Sequence, residues 1–122
     1  MNKYLLPLMA IIFCSHANAD ASQALDAYSK CVDERTDFYL ISGDSADSIA
    51  VAAMYDCEAK KGKVRQELLK QYMERTPNTP VANLVEGEII SIDNTVRQTS
   101  IKRTLNSKIR FNLKSKSKYP SV

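Results

Sequence analysis

The 122-residue chain has no tryptophan, one histidine (His16), three glycines and no acidic residue after Asp93. It also lacks an apolar run of the roughly 20 residues that span a bilayer. Its most apolar stretch, Tyr4 to Phe13, is ten residues long and holds Pro7. Each absence excludes something. With His16 in the N-terminal segment, the rest of the chain has no imidazole base for a serine or cysteine nucleophile. Cys31 and Cys57 without histidine make a poor zinc set. Three glycines leave nothing that resembles a phosphate-cradling loop. An enzyme, a cofactor, a metal site and a small-molecule substrate are therefore not expected.

What is present begins with an export signal. Lys3 supplies a positive start, Tyr4–Phe13 an apolar core, and Ala17-Asn18-Ala19 the small residues that signal peptidase requires. Cleavage is predicted after Ala19, giving a periplasmic or secreted chain from Asp20. A retained anchor and lipidation at Cys14 are the alternatives; Phe13 before the cysteine argues against the second. In an exported chain, Cys31 and Cys57 read as one disulfide rather than as free thiols.

Helical spacing dominates the chain beyond the signal. From Ala21 to about Ile41, with Asp20 as N-cap, the residues recurring at three- and four-residue steps are Leu25, Tyr28, Cys31 or Val32, Arg35 and Phe38. From Ala46 to about Arg75 they are Ile49, Ala50, Ala53, Met54, Cys57, Val64, Leu68 and Tyr72, with a bend expected at Lys60-Lys61-Gly62-Lys63. Gly43-Asp44-Ser45 between them opens like a hydrolase motif. It reads instead as a turn, with Asp44 or Ser45 as N-cap. Cys31 and Cys57 are equidistant from Asp44, so folding the helices back about that point sets them in bonding range. The same geometry sets Phe38 against Ala50 and Arg35 against Ala53.

Pro77 and Pro80 break the chain. Beyond them Val85, Ile89, Ile92 and Val96 keep helical steps from a cap at Asn83. Ile101, Leu105 and Ile109 do so out of phase, so the stripe rotates or the helix breaks near Thr99-Ser100. A strand reading of Ile90–Ile92 and Ile109–Lys114 competes. The fold expected is all-α. It comprises a signal (1–19), a disulfide-stapled antiparallel helical hairpin (20–75), a linker (76–82), a third helix (83–109) and a flexible basic tail (110–122).

The pattern Tyr28-x-x-Cys31-Val32 followed by Ser45-Ala46-Asp47-Ser48-Ile49-Ala50-x-Ala52-Ala53-x-x-x-Cys57 resembles one found in small exported proteins of Gram-negative bacteria. The resemblance covers about residues 24–58. It implies a disulfide-linked helical hairpin and carries no assigned activity.

Charge is the remaining signal. Residues 20–93 carry 14 acidic and eight basic side chains, whereas residues 94–122 carry only basic ones. Those eight, Arg97, Lys102, Arg103, Lys108, Arg110, Lys114, Lys116 and Lys118, are the candidate polyanion-binding residues. The acidic group Asp33, Glu34 and Asp37 reads as a solvated helix face. Two functions emerge as expectations. One is a non-enzymatic protein-interaction role with an unspecified protein partner, as in an inhibitor or immunity-type binder. The other is binding of an anionic envelope lipid or polymer through the basic C-terminal segment.

Overall fold

The computed structural model describes residues 6–118, with side chains described for 20–115. Within that span the chain is helical, without strands. Helix α1 runs Leu6–Tyr39, α2 Ala46–Asp56, α3 Glu58–Arg75 and α4 Ala82–Lys118. A single 3₁₀ turn, Leu40–Ser42, follows α1. The n-region of the expected signal, with Lys3, lies outside the described residues. No described helix is long and apolar enough to cross a membrane.

Asp20 does not cap a helix, because α1 passes through it. Leu6–Ala19 is rich in Leu, Ile, Met and Ala, and Pro7 falls in the first turn, where a missing N–H costs nothing. The inward stripe of α1 is Ala24, Tyr28, Val32 and Thr36. Arg35 and Phe38 are not on it, contrary to the expected pairing with Ala53 and Ala50. Phe38 is exposed, with the Arg35 guanidinium 4.3 Å from its ring centroid. Thr36 takes the buried position because its hydroxyl has partners there. It donates to the Val32 carbonyl (2.7 Å), and its oxygen lies 2.6 Å from the Ser100 hydroxyl of α4.

The stretch 42–48 is a helix-to-helix turn. Gly43 is left-handed at φ 72°, the conformation that only glycine adopts without strain. Ser45 is extended, and its Oγ accepts from the Ser48 N–H at 3.3 Å, an N-cap on α2. Asp47 in the first turn suits the positive helix end. Replacing Ser45 with alanine is expected to cost about 1 kcal/mol of stability, the usual loss for an N-cap. A shifted urea midpoint with an unchanged slope would show this. No change in midpoint would remove Ser45 as the cap.

The second helical segment breaks at Cys57 rather than at Lys60–Lys63. Cys57 leaves helical geometry (φ −106°, ψ 15°). Its N–H bonds Met54 O at 3.1 Å, and its carbonyl accepts from Lys61 N at 3.1 Å. The bend falls where the chain is tied: Cys57 is joined by a disulfide to Cys31, with Cα atoms 6.0 Å apart. The lysine run stays helical because its charges find partners. Lys61 reaches Asp93 at 2.7 Å, and Lys63 reaches Glu67 at 3.0 Å.

Thr76–Val81 links α3 to α4, as the prolines predict. Helix α4 starts at Ala82, so Asn83 is not its cap; Val81 precedes it and is buried. Helix α4 then continues without a break through Thr99-Ser100 and past Ile109 to Lys118. Neither the strand reading nor a flexible tail from residue 110 holds. Residues 110–118 contain no glycine or proline, and their lysines suit a helix C-terminus. Residues 119–122 lie outside the described residues.

Apolar side chains of α1, α2, α3 and α4 meet in one core, with Tyr28, Val32, Ala53, Cys57, Val64, Val85 and Ile89 almost fully enclosed. At its centre Tyr28 donates to Asp93 at 2.9 Å, and Asp93 also holds Lys61. One carboxylate thereby links α1, α3 and α4. Burial, then the Asp93 bond, push the Tyr28 hydroxyl far above the ordinary tyrosine value. Asp93 likewise raises the Lys61 ammonium.

Candidate anion-binding surface on the last helix

Helix α4 is 37 residues long, about 55 Å at 1.5 Å per residue. Its first half is anchored by Val85, Ile89 and Val96. Beyond Val96 its inward residues are Ser100 and Thr104, both fully buried. Thr104 Oγ1 has no hydrogen-bond partner among the described residues. Hydroxyls replace methyl groups at this end of the interface, so attachment depends more on polar links.

Those links consume part of the basic segment. Arg97 pairs with Asp47 of α2. Arg103 grips Asp37 of α1 with two bonds, 2.6 and 2.7 Å. The guanidinium holds the Asp37 carboxyl below the usual carboxylate range, and Asp37 raises Arg103 in turn. Both side chains are nearly half exposed, so the pair adds at most about 1 kcal/mol. Lys108 donates to the Asp44 carbonyl at 2.9 Å, tying α4 to the turn before α2.

Lys102 and Arg110 are different. Both are exposed and make no ion pair among the described residues. They share a cleft of about 370 Å³ with Arg103, Asn106, Ser107 and Asp37. Three cations and one carboxylate line it, with the Asn106 amide as a further donor; the Thr99 and Ser107 hydroxyls beside it donate to the Thr95 and Arg103 carbonyls. That set suits a phosphate, sulfate or carboxylate. Lys114 is exposed further along. The side chains of Lys116 and Lys118 lie outside the described residues.

On its other side α4 meets the turn. Leu40, Ile41, Gly43, Lys108, Phe111 and Asn112 line an open groove of about 640 Å³. Ser107 borders both this groove and the basic cleft. Ile41 and Phe111 are 89% and 74% exposed, so the groove is apolar and uncovered.

The described cations therefore do not act as one patch: Arg97 and Arg103 are paired across the fold, whereas Lys102 and Arg110 are open. Sequence spacing could not separate them from Lys102 and Arg110, because their acidic partners lie 50 and 66 residues away. Sequence spacing does not show the groove either, since Ile41 ends the first helical pattern and Phe111 falls in the strand-like alternation of Ile109–Lys114. No family model, curated protein or solved structure matches the chain.

Proposed function

We propose that this is a small exported, non-enzymatic binding protein whose ligand-facing element is the C-terminal half of α4. Its ligands are anionic groups of a cell envelope, on lipid or polymer. Residues 20–75 serve as a disulfide-stapled helical hairpin, the scaffold on which α4 is laid. The observation that carries the reading is the cleft in which Lys102 and Arg110 stand beside Arg103 without carboxylates of their own. Export is supported by the N-terminal pattern, by a disulfide suited to an oxidising compartment, and by the resemblance over residues 24–58. The exported form is then expected to begin at Asp20.

The test is binding to lipopolysaccharide and to inorganic polyphosphate at two salt concentrations. Wild-type binding should weaken steeply with salt. Lys102→Gln/Arg110→Gln should weaken it by about 2 kcal/mol, roughly thirtyfold, at about 1 kcal/mol per cation. Binding that neither salt nor the double substitution alters would overturn the reading.

A second reading, a protein-interaction role of the inhibitor or immunity type, is favoured by one patch. Val51 and Tyr55 are exposed on α2, beside Tyr39, Asp47 and Asp56. An aromatic residue standing out among carboxylates is a common protein-binding anchor. In that case capture of a defined partner survives high salt and the Lys102/Arg110 substitutions, and is lost with Tyr55→Ala.

A further inference from the structure

Helix α4 changes its apolar face partway along. Val85, Ile89 and Val96 point into the core. From Ile101 onward, Ile101, Leu105, Ile109 and Leu113 recur at every fourth position on another side. Each step of four residues turns the stripe by only about 40°, so the four side chains form one slanting band. It is about 18 Å long. Leu105, Ile109 and Leu113 are 47%, 56% and 62% exposed, and every described side chain from 109 to 115 is exposed. The outer part of the band, Ile109 and Leu113, stays mostly in water, so it calls for an occupant.

The charges around the band indicate which one. Lys102 and Lys108 project about 60° to either side of Leu105, and Arg110 lies beyond Lys102. No acidic residue occurs after Asp93. Two copies of this helix face to face would set cations against cations, which disfavours self-association. A free polyanion would engage the cations and leave the leucines and isoleucines without purpose. An apolar band rimmed by lysine and arginine matches a surface that is anionic outside and hydrocarbon within.

We propose that α4 docks flat on an anionic lipid bilayer. Leu105, Ile109 and Leu113 enter the acyl boundary, and Lys102 and Arg110 meet headgroup phosphates, while Lys108 keeps its bond to the Asp44 carbonyl. Since no described helix can cross a membrane, this is surface attachment. The inference rests on the reading of α4 as the binding element and names its ligand.

The absence of tryptophan provides a clean probe. Leu105→Trp and Asn106→Trp each place one indole in the exported protein, on and beside the band. Vesicles of phosphatidylcholine alone are compared with vesicles rich in phosphatidylglycerol. With the anionic vesicles only, the indole of Leu105→Trp should shift to the blue and be quenched by acyl-brominated lipid. The indole of Asn106→Trp should respond much less. Because each indole reports on its own position, the apolar N-terminal segment does not enter the readout. In parallel, Leu105→Asn/Ile109→Asn/Leu113→Asn keeps every cation and should reduce vesicle association roughly a hundredfold. Helicity and the intact disulfide are checked in each variant.

A triple variant that binds vesicles like wild type, or a Leu105→Trp indole that stays unquenched, overturns bilayer docking. Polyphosphate binding lost in Lys102→Gln/Arg110→Gln would then still uphold anion recognition. If that binding is also unchanged, both readings fall. A protein complex or self-association dissolved by the triple variant, without vesicle binding, assigns the band to protein and overturns the proposal.

Discussion

Removing the Cys31–Cys57 disulfide, by reduction or as Cys31→Ala/Cys57→Ala, is expected to lower stability by about 3.5 kcal/mol. The estimate follows from the 26-residue separation and the loop-closure entropy released in the unfolded chain. A domain of this size has on the order of 5–15 kcal/mol in all, so the loss is a large share. The double alanine should lose somewhat more than reduction does, because Cys57 is buried in the core and its sulfur fills space there. Urea unfolding with and without reductant measures it. A loss under about 1 kcal/mol would mean that the α1–α2–α3 contacts already constrain the unfolded chain. The Asp56 carboxylate, which accepts from Tyr39 at 2.6 Å and Arg35 at 2.9 Å, joins α1 to α2 near the disulfide. It is exposed, and does not replace the covalent tie.

The second large effect centres on Tyr28. Tyr28→Ala is expected to cost about 3–5 kcal/mol, since a fully buried ring is lost and a cavity remains. Tyr28→Phe keeps the ring and loses one hydrogen bond, about 1–2 kcal/mol. Asp93 keeps Lys61 in that variant, which limits the damage.

Alkaline pH should separate the two contributions. The folded Tyr28 hydroxyl titrates far above its unfolded value, which is near 10. Its contribution is therefore complete below about pH 10 and declines as pH rises beyond that, when the unfolded chain releases the proton first. Lys61, also raised, adds to the same decline. Between pH 8 and 11 the wild-type urea midpoint should hold and then fall, and Tyr28→Phe should fall less steeply. Equal slopes for the two proteins would exclude Tyr28 as a source of the decline.

These two centres differ in how far the sequence exposes them. The disulfide was legible because Cys31 and Cys57 are equidistant from the glycine turn and lie on helical stripes that face each other. The cap on α2 was legible to within Asp44 or Ser45 for a local reason: the bond from Ser45 to Ser48 spans three residues. Tyr28–Asp93–Lys61 was not legible. Helical spacing turns Tyr28 inward, but nothing local shows that Asp93, 65 residues on, arrives at its hydroxyl. Lys61 belongs to a run that by composition should weaken a helix. A charge partner outweighed intrinsic propensity, and the bend moved to the tethered Cys57.

Phe38 shows a related limit. Periodicity groups residues by side and does not say which side is covered. With α4 laid against Thr36, the smaller hydroxyl residue was enclosed and the larger ring was left out. The candidate site was half legible for the same reason. The basic run was plain, as was the change of phase near Thr99. Its division into fold-holding arginines and open cations depends on where α1 and α2 lie.

Helix α4 is thus continuous in geometry and divided in cohesion. One end is held by methyl groups that water will not release. The other rests on hydroxyls, two exposed ion pairs and a single lysine bond to a turn. Weakening the polar links would open Thr36, Ser100 and Thr104 to water first, while Val85, Ile89 and Val96 stay enclosed.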